Sequence, residues 1–132
     1  MDWRGNLDED METLTNQLIG AAIEVHRILG PGYIESVYEE ALARELYLRA
    51  IPFERQKAID IKYKGIIIGE GRLDLLIDHK LIVELKAVEK LMPVHSVQVH
   101  SYLKATKIQL GLLINFNVLL LRDGLKRIIL AQ

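Results

Sequence analysis

A chain of 132 residues, half of them hydrophobic and 27% charged, has the size and composition of one globular domain. It contains no cysteine, which excludes disulfides, thiolate zinc sites, thiol catalysis and cysteine-bound iron–sulfur clusters. The net charge of −1 gives no global attraction to nucleic acid, so any phosphate binding would depend on a local basic patch or a metal ion. No apolar run approaches the roughly 20 residues of a membrane span, and the N-terminus does not resemble a signal peptide. We therefore expect a cytoplasmic protein without a membrane partner.

The first half of the chain predicts two helices. Residues 1–12 are acidic and lack periodicity, so we expect a disordered tail, followed by a single domain over residues 13–132. Apolar residues then recur at helical spacing to residue 29, and Gly30-Pro31-Gly32 ends this helix. His26 lies at the edge of the apolar stripe, where a hydrogen-bonded boundary histidine is favoured over a catalytic one.

The second helix is predicted over residues 35–49, and Glu35 is aligned with its buried stripe. An acid in a first turn usually only complements the helix dipole. The inward direction of Glu35, and the Gly-Pro-Gly turn before it, favour a functional role all the same.

The second half of the chain predicts a sheet interrupted by a third helix. Strands are expected over residues 53–63, 66–68, 71–77, 81–87, 108–115 and 125–130, with a glycine-rich interruption at 69–71. Residues 118–121 fit either a short strand or an apolar connection. Pro93 suits the first turn of a helix over residues 93–106. The predicted fold is an α/β domain with a mixed central β-sheet flanked by helices, in the order ααβββ(β)αββ.

Charged residues are set into the apolar strands on either side of Asp78-His79-Lys80. A three-residue hairpin loop would place Ile77 opposite Leu81 and therefore Asp74 opposite Glu84, whereas a two-residue turn would put these acids on opposite faces. Directly opposed carboxylates about 5 Å apart repel each other. A divalent cation would turn that repulsion into a binding site, with Lys86 on the same face as Glu84.

These residues resemble a known motif. Asp74 followed by Glu84-x-Lys86 looks like the core motif of the PD-(D/E)XK nuclease superfamily, although Leu73 rather than proline precedes Asp74. Two further elements are similar to features of that superfamily, namely Glu35 on a helix before the sheet and Gln98-x-x-x-Tyr102 on the helix after the motif. The pattern Gly32-x-x-Glu35-x-x-Tyr38 resembles the GxxExxY protein family within it. The resemblance covers about residues 13–130 and implies a restriction-endonuclease-like fold.

The resemblance also implies roles for single residues. Asp74 and Glu84 would bind Mg²⁺ or Mn²⁺ with the backbone carbonyl of Leu85, and Glu35 would join them directly or through water. Lys86 would position the attacking water. Gln98 and Tyr102 would orient the site or touch the nucleic-acid backbone. The remaining candidate substrate contacts are His26, Tyr38, Arg72, Lys90, His95 and Lys104.

Three hypotheses follow for function. The first is a metal-dependent nuclease acting on DNA rather than RNA, for which a homodimer is one way of cutting both strands. The second is a weak or inactive nuclease-fold module that binds nucleic acid or regulates a partner. The third and weakest is a structural ion network of Asp74, Glu84 and Lys86, which would show no dependence on divalent ions.

Overall fold

The computed structural model describes residues 9–131, and residues 1–8 and 132 lie outside the description. The described chain forms three α-helices, five β-strands and one short 3-10 helix. The helices are α1 (Glu9–Leu29), α2 (Glu35–Leu48) and α3 (Pro93–Thr106), and the 3-10 helix is Leu121–Gly124. The strands are β1 (Phe53–Tyr63), β2 (Ile66–Ile77), β3 (Leu81–Lys86), β4 (Leu110–Asn115) and β5 (Leu125–Ile129).

The strands form one mixed sheet in the order β1-β2-β3-β4-β5. Neighbours are antiparallel except β3 and β4, which pair in parallel. A parallel pair needs a long crossover, and α3 supplies it between these two strands. The α/β class, the mixed sheet and the element order are therefore confirmed, and the connection 118–121 is not a strand.

Apolar side chains cover both faces of the sheet. On one face, α1 and α2 pack on β-strand residues that include Leu75, Val83 and Leu85. On the other face, α3 packs through Val99 and Leu103 on a smaller cluster. The charged strand β3 is thus enclosed between two layers, which explains why its side chains from Leu81 to Leu85 are all buried.

The first helix is longer than the periodicity predicted. It begins at Glu9, and three acids in its first turn interact favourably with the positive end of the helix dipole. The expected disordered tail is therefore wrong for residues 9–12, and the rest of that expectation concerns residues outside the described part. None of the helices within residues 9–131 has the length and apolar character that crossing a membrane requires.

The predicted break at residues 69–71 is also wrong, because β2 runs unbroken from Ile66 to Ile77. Gly71 pairs with Ile59 of β1, and the register shift in this hairpin lies instead between Ile61 and Lys62. A Cβ atom on Gly71 would lie 3.0 Å from Cε1 of Tyr102. The glycine here permits close packing of α3 on the strand rather than a turn.

Candidate functional site

The β2–β3 hairpin has the three-residue loop that the sequence predicted. Ile77 pairs with Leu81, and the ladder continues to Leu75 opposite Val83. Asp78 and His79 adopt positive φ angles of 49° and 58°, which close the loop. The ladder ends there, and Asp74 and Glu84 come next on the two strands.

At that position the side chains replace the backbone ladder. The backbone N–H of Asp74 donates to Oε2 of Glu84 at 2.7 Å. The backbone N–H of Leu85 donates to Oδ2 of Asp74 at 2.8 Å. Each carboxylate is therefore held by an amide of the opposite strand, which fixes both acids without a direct bond between them.

The alternation of side chains between the two faces of the sheet is interrupted in strand β2 at Asp74. Leu73 belongs to the cluster under α3, whereas Leu75 belongs to the cluster under α1 and α2. Residues two apart in a regular strand share a face, so the strand is twisted between these two leucines. Opposite this point, Gln56 of β1 has a φ of 49° and falls between the paired residues on either side of it. The irregularity places Asp74 where side chains from α2 can reach it.

Burial and nearby negative charge raise the pKa values of the paired acids. Burial, together with the charges of Asp74 and Glu35, raises the pKa of Glu84 to about 8 against the opposing effects of the Asp74 N–H and Lys86. Burial also raises the pKa of Asp74, which the Leu85 N–H opposes. The Glu35 side chain is exposed, yet partial burial and the charge of Asp74 raise its pKa too. The charges of Asp74 and Glu35 thus act on the pKa of Glu84, and ligation by Glu35 stays a prediction.

The positive charge of Lys86 acts on this whole group. It favours the ionised form of Glu35, Asp74 and Glu84, lowering the pKa of each against the larger effect of burial. Within the described residues, Lys86 forms no direct ion pair with any of them. A purely structural ion network would require such contacts, so the geometry disfavours the third hypothesis.

Two residues of the site were missed by sequence reasoning. Glu39, one turn after Glu35 on α2, is only 9% exposed. Its Oε2 accepts a hydrogen bond from Arg55 at 3.0 Å, and its Oε1 accepts one from Nε2 of Gln56 at 2.7 Å. Gln56 also lowers the pKa of Asp74 against the larger effect of burial. Neither Glu39 nor Gln56 carries a local sequence signal that would assign it to the site.

The donor set fits a hard divalent cation. Asp74 and Glu84 supply carboxylate oxygens, the ligand type that Mg²⁺ and Mn²⁺ prefer. Over residues 9–131 no three His, Cys, Asp or Glu side chains are close enough together to hold an ion by themselves. Two carboxylates would therefore need water or backbone oxygen beside them, and Mg²⁺ usually retains several waters. This arrangement favours a role through water for Glu35.

The helix after the motif contributes less directly than expected. Nε2 of Gln98 donates to the Tyr102 hydroxyl at 3.3 Å, and the Tyr102 ring lies against Gly71. Among the hydrogen bonds of the described chain, none joins this pair to Asp74 or Glu84. Nδ1 of His95 accepts from the Met92 N–H at 2.9 Å and so caps α3. Gln98 and Tyr102 therefore lie over β2 near the site, and their catalytic role stays a prediction.

Tyr38 is a core residue. Its side chain is fully buried, and its ring stacks on Phe116 with the centroids 4.6 Å apart. Its hydroxyl donates to the Gly30 carbonyl at 2.6 Å and accepts from the Tyr33 N–H at 3.2 Å. The prediction of a substrate contact is therefore wrong for Tyr38, which instead holds the loop between α1 and α2 that leads to Glu35.

His26 is likewise structural. It is 8% exposed, and its Nε2 lies 2.7 Å from the Val118 carbonyl. This is the hydrogen-bonded boundary histidine that the sequence favoured, and the same burial argues against a substrate contact.

The basic candidates lie at the surface. Arg72 donates to the Gln56 carbonyl at 2.9 Å and pairs with Glu70 at 3.3 Å, so it supports the backbone beside the site. Lys90 and Lys104 are exposed. Their contact with a substrate stays a prediction, as does ligation by the Leu85 carbonyl.

Comparison with known proteins agrees with this geometry. A family model described as the PD-(D/E)XK nuclease superfamily matches residues 12–128. No curated protein matches the chain. The crystal structure of SSO0001 is similar, with 20% sequence identity and a TM-score of 0.51, over 74% of this chain and 50% of that one. The chain thus spans about half the length of that protein, and at this identity the likeness shows the fold alone. Membership of the GxxExxY family stays a prediction.

Proposed function

This chain belongs to the PD-(D/E)XK nuclease superfamily, and on that premise we propose that it is a divalent-metal-dependent nuclease that hydrolyses phosphodiester bonds of DNA. One observation supports this most strongly. The carboxylates of Asp74 and Glu84 are each fixed by a backbone amide of the other strand, and Lys86 follows on the face of Glu84. A stable core has no need of a buried acid beside a half-buried one in this arrangement.

Asp74 and Glu84 would hold Mg²⁺ or Mn²⁺, with the Leu85 carbonyl and waters completing the set. When bound, the cation would act as a Lewis acid and lower the pKa of a water molecule. The chain itself supplies orientation, because hydrogen bonds from two backbone N–H groups hold the carboxylates in place before any ligand binds. This preorganisation requires no rearrangement of β2 or β3.

Lys86 and Glu35 would handle the water and the phosphate. The Lys86 ammonium already acts on all three acids, so its charge extends to the place where a phosphate would bind. There it would orient the attacking water and offset negative charge on the phosphate. Glu35, at the exposed rim with a raised pKa, would accept a hydrogen bond from that water. Gln98 and Tyr102 would contact the nucleic-acid backbone from α3.

The experiment is a cleavage assay on linear, nicked and single-stranded DNA and on RNA, with Mg²⁺, Mn²⁺ or EDTA. We expect DNA cleavage that EDTA abolishes and that is lost in Asp74→Ala and Lys86→Ala. Asp123→Ala and Lys80→Ala remove the same charges from exposed positions and should retain activity. Cleavage that survives both site substitutions contradicts the assignment.

One negative result would identify the alternative function. If the protein cleaves nothing but binds Mg²⁺ in calorimetry, and Asp74→Ala removes that binding, the chain is an inactive nuclease-fold binding module. If the protein cleaves both strands of a linear duplex without a nicked intermediate, two sites act together. Light scattering of the protein with DNA would then show the homodimer that we propose for this case.

A further inference from the structure

A groove of about 930 Å³ lies between β1 and the C-terminal half of α3. Its floor includes Leu73 and Leu76 of β2, which flank the site residue Asp74. Ser101, next to Tyr102 on α3, also lines it. Leu73 is the chain neighbour of Asp74, although the acids of the site do not line the groove.

The rim of the groove is basic. Lys57, Lys62, Lys104 and Lys107 line it, and Asp60 is the acid among the lining residues. Lys57 pairs with Glu54 at 3.1 Å. Within residues 9–131 the other three lysines have no ion-pair partner. A chain whose net charge is −1 thus concentrates unpaired positive charge along one groove.

The floor of the groove is apolar. Leu73 and Leu76 are buried, and Ile59, Ile61 and Ile108 are partly buried. An unpaired nucleic-acid strand offers phosphates for a basic rim and base faces for an apolar floor. A duplex keeps its base faces stacked inside, so it would use the lysines and leave the floor uncovered. The combination favours one strand.

We propose that this groove binds a single strand of nucleic acid through its phosphate backbone and bases and leads it to the Asp74–Glu84 site. The inference rests on the proposed function and adds a substrate path to it. From Lys57 to Lys62 a strand spans about 17 Å, which corresponds to about five nucleotides at the spacing of a stacked strand. The exposed Gln98 and the half-buried Tyr102 lie on the same helix as Ser101 and Lys104 of the groove.

Binding can be measured without cleavage. Fluorescence anisotropy of a labelled single-stranded DNA oligonucleotide in EDTA reports affinity, and repetition from about 50 to 200 mM salt reports the number of phosphate contacts. The test variant is Lys62→Ala with Lys104→Ala, since both side chains are exposed and unpaired within the described chain. Lys107 is left unchanged because its φ of 61° makes alanine unfavourable there. The control, Lys80→Ala with Lys126→Ala, removes the same charge from exposed positions outside the groove.

We expect the groove variant to bind about tenfold more weakly and its salt slope to fall by about 1.4, because each single-strand phosphate contact contributes about 0.7. The control should match the wild type, and a blunt duplex of the same sequence should bind more weakly than the single strand. Three results overturn the inference: no binding of single strands, equal loss in both variants, or tighter binding of the duplex. If the wild type cleaves DNA while the groove variant binds normally, the groove assignment fails and the proposed function stands. If binding depends on the groove but the wild type cleaves no DNA, the groove assignment stands and the proposed function fails.

Discussion

Asp74 and Glu84 are linked by a hydrogen bond from backbone to side chain: the N–H of Asp74 donates to Oε2 of Glu84 at 2.7 Å. The matching bond on the other strand runs from the Leu85 N–H to Oδ2 of Asp74. Together these bonds hold a buried acid, Glu84, close enough to the half-buried Asp74 for their charges to repel each other. The fold thus creates a local electrostatic cost that either a proton or a cation can relieve.

Neutralising Glu84 should stabilise the protein when no cation is present. Its pKa is about 8 in the folded protein and 4.5 in the reference state, so the folded form binds more protons between these values and loses stability as the pH rises through 8. Glu84→Gln retains an acceptor for the Asp74 N–H but carries no charge. In EDTA at about pH 9 we expect a gain of about 1–3 kcal/mol in the free energy of unfolding, shrinking toward zero at about pH 5.

Thermal unfolding followed by circular dichroism at both pH values measures this change. Glu70→Gln is the control, because it removes a charge from an exposed strand position. A loss of stability in Glu84→Gln at about pH 9 would contradict the electrostatic cost inferred for this pair.

Mg²⁺ binding should strengthen with pH until the proton on Glu84 is gone. A carboxylate must be deprotonated to bind a metal ion, so below the pKa of about 8 each bound ion displaces a proton. We expect the apparent affinity to fall about tenfold for each pH unit below 8 and to level off above it.

Isothermal titration calorimetry in buffers of different ionisation enthalpy gives both the affinity and the protons released. Release should approach one proton per ion at about pH 6 and vanish by about pH 9. An affinity that does not change across this range would show that Glu84 is not a ligand.

Periodicity and turn chemistry predicted most of the fold. The hairpin register came from the loop Asp78-His79-Lys80, since side chains alternate and one known pair fixes all the others. The glycines at 69 and 71 misled the prediction. Gly71 lies against the Tyr102 ring packed on β2, a contact between residues far apart in sequence, whereas a Cβ atom on Gly69 would meet nothing within 4 Å. Tyr38 also misled the prediction. A tyrosine in a motif suggests a substrate contact, whereas this tyrosine stacks on Phe116 in the core.

The site was predictable where charge contradicted an apolar pattern and was not predictable elsewhere. Asp74, Glu84 and Lys86 stand out in buried strands, whereas Glu39 reads as an ordinary helical acid until the fold buries it. Gln56 carries no local signal at all. Its role depends on a positive φ and on the meeting of β1, β2 and α2, which only tertiary structure brings about.

Removing the Gln56 side chain should weaken cation binding without unfolding the protein. Gln56 bonds to Glu39 and lowers the pKa of Asp74, and such supporting contacts commonly change metal affinity by about 10–100-fold. Gln56→Gly suits the φ of 49°, so it removes these side-chain interactions while relieving backbone strain. We expect Mg²⁺ affinity in calorimetry to fall at least about tenfold, with a melting temperature at or above that of the wild type.

Lys64→Gly is the matched control for that substitution. Lys64 also has a positive φ, of 47°, and is exposed at the far hairpin turn of β1 and β2. This variant should gain similar backbone relief and keep full Mg²⁺ affinity. Equal affinities in the two variants would remove Gln56 from the site.

Deleting the Tyr38 hydroxyl should cost stability and leave cation binding intact. Tyr38→Phe keeps the stacking on Phe116 but leaves the Gly30 carbonyl and the Tyr33 N–H without this partner. We expect a loss of about 1–3 kcal/mol in the free energy of unfolding, measured by urea denaturation, since buried groups lose a hydrogen bond. Tyr63→Phe, at a ring that is 61% exposed, should change stability little. Normal stability combined with lost Mg²⁺ binding in Tyr38→Phe would instead assign this tyrosine to the site, because a core residue acts on the acids only through the fold that carries them.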